Sequence, residues 1–287
     1  MFRSIFFFLV LILSISTAAN AQYGTVYDDL SMDSKILKSK RKYAVYLPPD
    51  YNRSERNYPV LYLLHGAGDD HTGWVQFGEV LRITDEAIAD GRATPMIIIM
   101  PDAQTGKRGY WDAIDGSWNY EQFFFEEFMP HVESKYRIKK EKRYRAISGL
   151  SMGGGGSFVY AMHRPDLFIS ACPMSAFVGP LSVDGMKNII ENNGYKPDDT
   201  IENYYHNYDA LYMANNNELD RLRSVRWYID CGDEDFLYEG NSLLHIAFMK
   251  RDIDHQYRVR DGAHNWTYWR ESLYDVLQFV SDAFHQY

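Results

Sequence analysis

The stretch Ala146-Ile-Ser-Gly-Leu-Ser-Met-Gly-Gly-Gly-Gly156 constrains this chain more than any other. It holds Gly149-Leu150-Ser151-Met152-Gly153, a G-x-S-x-G pattern, between an apolar strand-like run (Tyr144 to Ile147) and a small-residue helix-like run (Gly154 to His163). In a nucleophile elbow the chain turns sharply from strand to helix, which strains the serine backbone and exposes its hydroxyl above the sheet. Side chains two residues before and after would collide across the turn, so glycine is required there. Ser151 also falls at a helix start, where unpaired N–H groups and the macrodipole favour developing negative charge. A phosphate-cradling loop would need G-x-x-x-x-G-K-[ST], and no lysine follows these glycines.

The chain has 287 residues, 46% hydrophobic and 24% charged, which suits one globular domain with a large core. Its beginning reads as an export signal: Arg3, the apolar run Ile5 to Ile15, then Ala19-Asn20-Ala21 as a small-x-small cleavage site. That run is well short of the roughly 20 residues that span a bilayer. Residues 1–21 are therefore expected to be removed, leaving an exported (periplasmic or secreted) chain that starts at Gln22. The formal net charge of −9 includes one cation, Arg3, within the signal, so the mature value is −10. With no basic run, neither nucleic acid nor an anionic membrane surface is an expected partner. Cys172 and Cys231 both fall in apolar strand-like runs, where buried unpaired thiols are the expectation.

Along the chain, Lys42 to Leu47 alternates as a half-buried strand and stops at Pro48-Pro49. Tyr58 to Leu64 and Pro95 to Met100 are continuous apolar runs, the signature of strands covered on both faces. A helix is expected around Ile83 to Asp90, an aromatic-rich loop over Gly109 to Trp118, and one helix from Tyr120 to Tyr136. Phe168 to Pro173 reads as another short strand. Residues 178–226, polar and rich in Asn and Tyr, are too long for a plain loop and read as an inserted cap of helices and turns beside the site. Trp227 to Cys231 and Gln256 to Arg260 resume the strands, and Glu239 to Lys250 and Thr267 to Phe284 are helical. Strands alternating with helices predict an α/β fold, a mostly parallel sheet with helices on both faces.

In such a sheet, ligands bind at the carboxyl ends of the strands. A serine hydroxyl is a weak nucleophile until a base takes its proton. His264 follows the last strand and lies at the correct end, whereas His255 precedes that strand. The orienting acid belongs after the penultimate strand, where spacing leaves Asp233, Glu234 and Asp235 as equals. The oxyanion needs two backbone donors: the N–H of Met152, and one from the loop His65-Gly66-Ala67-Gly68, for which Ala67 is selected. His65, Asp69, Asp70 and His71 superficially suggest metal ligands, but no H-x-H half accompanies them, so no metal and no cofactor is expected.

Taken together, these residues resemble the putative-esterase family of α/β-hydrolases, which includes feruloyl and acetylxylan esterases, tributyrin-type esterases, S-formylglutathione hydrolase, enterochelin esterases and the mycolyltransferases. The carrying motifs are Leu63-Leu-His-Gly-Ala-Gly68 with Trp74, Tyr120-Glu-Gln-Phe-Phe124 with Pro130, Gly149-Leu-Ser-Met-Gly153, Cys231-Gly-Asp-Glu-Asp-Phe-Leu-Tyr238 and Gly262-Ala-His-Asn-Trp266. As an ordered set they span the chain from about Lys42 to its end. The resemblance implies the α/β-hydrolase fold, selects Asp235 as the acid, and carries over Ala67 and Met152 as oxyanion donors. The cap and export signal are similar to secreted feruloyl or acetylxylan esterases rather than to the cytosolic formylglutathione enzyme.

The expectation is an exported serine carboxylesterase using Ser151, His264 and Asp235, acting on feruloyl or acetyl esters of plant cell-wall polysaccharide. Trp74, Trp111 and Trp266 are the expected substrate contacts, with Tyr110 and Trp118 nearby; core packing is an equal alternative for these aromatics. An acyltransferase would use the same triad with an alcohol acceptor, and a short-chain carboxylesterase would use it without polysaccharide specificity. A non-catalytic glycan-binding protein would keep the aromatics and lose the triad.

Overall fold

Among the described residues, eight strands form one sheet in the order β1-β2-β4-β3-β5-β6-β7-β8. The computed structural model describes residues 23–103, 109–196 and 198–285; the export signal read at residues 1–21 lies outside them. Strands β3 (Val60–Leu64), β4 (Ile97–Pro101), β5 (Arg145–Leu150), β6 (Ser170–Met174), β7 (Arg226–Gly232) and β8 (His255–Arg260) run parallel. β1 (Thr25–Ser34) and β2 (Ser39–Leu47) add an antiparallel margin.

The two-residue period of the strands divides the core between the two faces of the sheet. Val60, Tyr62 and Leu64 of β3 and Ile97 and Ile99 of β4 join one apolar cluster; Leu61, Leu63, Ile98 and Met100 join the other. The first cluster is closed by helix segments α3 (Tyr120–Phe123) and α4 (Met129–Lys135), by α5 (Met152–His163) and by α10 (Tyr238–Lys250). The second is closed by α1 (Gly73–Gln76), α2 (Val80–Ala89) and the long α11 (Trp266–His285). Four shorter helices lie between β6 and β7: α6 (Val183–Asn192), α7 (Asp199–His206), α8 (Ala210–Asn216) and α9 (Leu219–Arg223).

Three elements depart from the sequence reading. Strand β1 was not anticipated, because TVYDDLSMDS has no apolar alternation; half of its residues are exposed, and a register irregularity interrupts its pairing between Tyr27 and Leu30. Polar composition and irregular pairing are how an edge strand avoids further partners. β2 is not half-buried: Tyr43 to Leu47 are all buried, because β1 and β4 flank the strand and apolar clusters cover both its faces. The helix expected over Tyr120 to Tyr136 contains a π turn, Phe124–Phe128. It sits just before Pro130, whose ring nitrogen has no hydrogen to give to the preceding turn. Cys172 and Cys231 are both buried and unpaired.

Under the sheet, Glu133 of α4 receives two hydrogen bonds from Arg145 of β5, at 2.7 and 2.8 Å, and one from Tyr62 of β3, at 3.1 Å. Breaking a buried pair leaves an uncompensated charge, which costs far more than the intact pair contributes. Glu133→Ala is accordingly expected to lower stability by about 3–5 kcal/mol, read as a shift in the denaturant midpoint. A change below about 1 kcal/mol, the value of an exposed pair, would contradict this account.

Candidate active site

Ser151 occupies the one residue between β5 and α5 and has φ +55° and ψ −116°. A positive φ in a residue with a Cβ costs on the order of 1–3 kcal/mol and persists only where the surroundings over-determine it. Here the Ser151 N–H donates to the Met174 carbonyl at 2.9 Å, and the Ser151 carbonyl accepts from Gly155 and Phe177, each at 3.0 Å. The flanking glycines are a steric necessity. A Cβ on Gly149 would stand 2.5 Å from the Gly153 carbonyl oxygen, and one on Gly153 would stand 2.5 Å from that of His65.

The ends of β3, β5, β7 and β8 carry the remaining candidates to the same edge of the sheet. His264, in the turn after β8, has Nε2 3.0 Å from the Ser151 Oγ. Its Nδ1–H donates to the Asp235 carboxylate, 2.8 Å from Oδ2 and 3.0 Å from Oδ1. Asp235 is fully buried. Burial alone would raise its pKa, but hydrogen bonds from His264, the Leu237 N–H and Ser175 outweigh that and hold it below the usual carboxylate value. The two neighbouring acids do not reach the imidazole. Asp233 accepts the Gly262 N–H at 3.0 Å and so ties the loop after β7 to the turn bearing His264, while the Glu234 side chain is exposed.

A cavity of about 300 Å³ opens beside Ser151, with Ala67 and Met152 in its wall. Met152 is the first residue of α5, where an amide N–H has no intrahelical acceptor. The loop carrying Ala67 lies against the elbow: a Cβ on Gly66 would meet the Ser151 Cβ at 3.5 Å. His65 secures this loop, its Nδ1–H donating to the Gly66 carbonyl at 2.8 Å and its Nε2 accepting the Ala103 N–H at 2.9 Å. His71 donates from Nε2 to the Asp28 carbonyl, and Asp70 accepts from Thr72. Most of the polar atoms that suggested metal ligands are thus engaged with the chain itself, although His71 Nδ1 is buried with no hydrogen-bond partner among the described residues.

The rest of the cavity wall is apolar: Tyr110, Trp111, Phe177, Phe236 and Leu237. Trp111, one of the tryptophans expected to contact substrate, is in this wall. Trp74 and Trp266 are not in the wall; their rings pack edge to face at 5.2 Å, and the buried Trp74 indole donates to the Leu64 carbonyl. They support the strand end rather than the cavity, because the edge that bears Ser151 is closed on that side by α1 and α11. Phe177, Phe236 and Leu237 were not singled out from sequence. Phe236, adjacent to the acid and strongly exposed, was legible from its position alone; Phe177 had no local signal.

Among the described residues, none of α6 to α9 lines the cavity. The connection between α7 and α8 instead meets Trp111, whose ring stacks on Tyr208 at 4.8 Å with an interplanar angle of 24°. Tyr204 donates to the Asp112 carbonyl, and the Tyr208 hydroxyl accepts the Asp112 N–H at 3.3 Å. His163, at the end of α5, closes this contact: Nδ1–H donates to Glu121 at 2.7 Å and Nε2–H to the Asn207 carbonyl at 2.8 Å. Both partners are acceptors, so only the imidazolium satisfies them together. Burial disfavours that charge, but Glu121 and the Asn207 carbonyl prevail and raise the pKa of His163.

A family model described as "Putative esterase" matches residues 34–280. An endo-1,4-beta-xylanase/feruloyl esterase of Xylanibacter ruminicola is 35% identical over 245 residues, covering 82% of this chain and 28% of that protein. An esterase of Mycobacterium tuberculosis is 38% identical over 143 residues, covering 48% of this chain and 29% of that protein. The chain therefore spans under a third of the length of these curated relatives. Among solved structures, one titled ferulic acid esterase superposes with a TM-score of 0.80 at 36% identity, covering 91% of this chain and 99% of that one. An S-formylglutathione hydrolase from Agrobacterium tumefaciens, at 23% identity and TM-score 0.76, shares the fold, with 92% and 96% of the two chains covered.

The His163 contact carries a pH dependence of defined sign. A raised folded-state pKa stabilises fully below the ordinary histidine value, and that contribution is lost as pH rises through the raised one. The melting temperature of the wild type relative to His163→Gln is expected to fall over that interval, from about pH 6 upward. A difference that is flat with pH, or that grows as pH rises, would overturn the assignment.

Proposed function

Because the chain belongs to the putative-esterase family, we propose that it is an exported serine carboxylic ester hydrolase in which Ser151, His264 and Asp235 act as nucleophile, base and orienting acid. The observation that carries this reading is the unbroken chain of contacts from Ser151 Oγ through His264 to the buried Asp235. Ser151 Oγ attacks the ester carbonyl carbon as its proton passes to His264 Nε2. The N–H groups of Ala67 and Met152 receive the negative charge that develops on the carbonyl oxygen. The tetrahedral intermediate collapses, the C–O bond to the alcohol breaks, and His264 returns the proton to the departing oxygen. Water then attacks the acyl-serine by the same route in reverse, releasing the acid and free Ser151. Asp235 remains a carboxylate throughout, holding the tautomer that leaves Nε2 free to accept.

For the acyl group, we propose an aromatic acid of the feruloyl class esterified to a glycan. Two lines support this: the aromatic and aliphatic wall of the cavity, and the feruloyl esterase named among the relatives. An apolar site with few polar groups suits a planar acyl group better than a short polar one. Acetyl esters remain the test's other arm.

Turnover of methyl ferulate and p-nitrophenyl acetate separates these levels. Ser151→Ala and Asp235→Asn are each expected to lower kcat on the order of 10⁴-fold, with Asp233→Asn staying within about tenfold of wild type. Equal rates for wild type and Ser151→Ala would remove the mechanism. Cleavage of acetate alone would leave the mechanism and remove the aromatic acyl group. Gln22 is expected as the first residue of chain recovered outside the cytoplasm; a retained Met1 would contradict cleavage, and a chain found only in the cytoplasm would contradict export.

A further inference from the structure

Tyr110 borders the cavity beside Ser151 yet is buried. Its ring meets Tyr160 of α5 edge to face at 6.2 Å and 86°, and Tyr120 of α3 at 5.7 Å and 83°. Gly156 makes the room, since a Cβ there would stand 2.8 Å from the Tyr110 ring. The Tyr110 carbonyl accepts the Tyr160 hydroxyl at 2.6 Å, so its backbone is tied to α5 as well. Tyr110 is thereby fixed to the helix that begins at Met152.

Its own hydroxyl reaches the other way and donates to the His65 carbonyl at 3.1 Å. That carbonyl oxygen is the atom that bars a Cβ on Gly153, so it lies against the elbow. Peptide groups are planar and trans, so a C=O and the N–H that shares its plane point in opposite directions. Holding a carbonyl therefore aims the N–H of the next residue. Tyr110 holds the plane between His65 and Gly66. The plane between Gly66 and Ala67 is held at its carbonyl, which accepts His65 Nδ1–H at 2.8 Å and the Asp69 N–H at 3.3 Å. The Ala103 N–H donates to His65 Nε2 at 2.9 Å, which leaves the ring proton on Nδ1. Gly66 joins the two planes and, with no side chain, does little to restrict the angle between them. The hydrogen bonds on both carbonyls supply that restriction, and with it the direction of the Ala67 N–H.

We propose that Tyr110 is a positioning residue of the oxyanion site: its hydroxyl, acting through the His65 carbonyl, sets the loop bearing Ala67 against the helix bearing Met152, and so the spacing of their two N–H groups. This rests on the ester hydrolase reading above, in which those N–H groups receive the developing charge. A tyrosine that served the cavity only as apolar wall would do so equally well as phenylalanine.

Tyr110→Phe keeps the ring, its edge contacts and the bond from Tyr160, and removes the hydroxyl alone. Its kcat for p-nitrophenyl acetate is expected to fall about 10- to 100-fold, with KM within about threefold of wild type. Deleting an oxyanion donor outright costs about 10²- to 10³-fold; here both donors remain and only their spacing is lost. An aryl trifluoromethyl ketone gives a readout that packing alone would not move. Ser151 Oγ adds to its carbonyl carbon, the proton passes to His264, and the hemiketal presents an oxyanion to Ala67 and Met152. Its inhibition constant is expected to rise by the factor by which kcat/KM falls, as for a mimic of the transition state. Tyr160→Phe, which frees the Tyr110 carbonyl, is expected to act in the same direction but more weakly. The double variant should lose less than the product of the single losses, since both residues act on one chain of contacts. A wild-type kcat in Tyr110→Phe overturns the proposal. A loss confined to KM also overturns it, by making Tyr110 a substrate contact, as does a slower kcat with an unchanged inhibition constant. Should Tyr110→Phe not fold, Tyr160→Phe is read by the same criteria. Equal activity of wild type and Ser151→Ala would instead remove the ester hydrolase reading; a normal Ser151 contrast with a silent Tyr110 removes this inference alone.

Discussion

The site depends on a single unfavourable backbone conformation, that of Ser151. Its positive φ turns the chain from β5 into α5 within one residue and lifts the hydroxyl above the sheet edge. Two glycines permit the turn by leaving room for the carbonyl oxygens of Gly153 and His65. Three backbone hydrogen bonds then hold it, reaching β6 at Met174 and the segment after it at Phe177. The strain is therefore offset by the neighbouring strand, and the elbow is built on the packing of the sheet itself.

The same economy runs through the neighbouring strands. After β3 the chain passes to β4 on one side and returns through β5 on the other, so the loop bearing Ala67 and the elbow bearing Ser151 flank a topological switch point. The loops after β7 and β8 are joined by backbone and side-chain bonds, with Asp233 and Glu234 both bonded to Gly262. Beneath them, Arg260 of β8 bridges Asp230 of β7 and Asp275 of α11, which locks the strands from which Asp235 and His264 emerge. This layer ties together the two strands whose following loops carry Asp235 and His264.

Much of this was legible in the sequence because it was local. The G-x-S-x-G elbow, the buried runs of β3 and β4, and the placement of His264 after a strand are each contained within a dozen residues. Asp235 was not separable from Asp233 and Glu234 by spacing, since a turn aims three consecutive side chains in different directions; the resemblance selected it, and in the structure it is the one that meets His264. Trp74 and Trp266 were misplaced because an aromatic near a motif has the same local signature whether it faces substrate or core. Tyr208 carried no signal at all, because it meets the cavity wall through a stack on a loop nearly a hundred residues earlier. Strand β1 was missed for the opposite reason, being a paired edge without an apolar pattern.

The central claim is that Ser151 forms a covalent bond with the acyl group, and trapping that intermediate tests it most directly. The protein is mixed with excess p-nitrophenyl acetate, quenched in acid within the first turnovers, digested and analysed by mass spectrometry. The account predicts a burst of p-nitrophenol and an acetyl group on the peptide containing Ser151, both lost in Ser151→Ala. Acetylation at another residue, or a burst that survives the substitution, would contradict it.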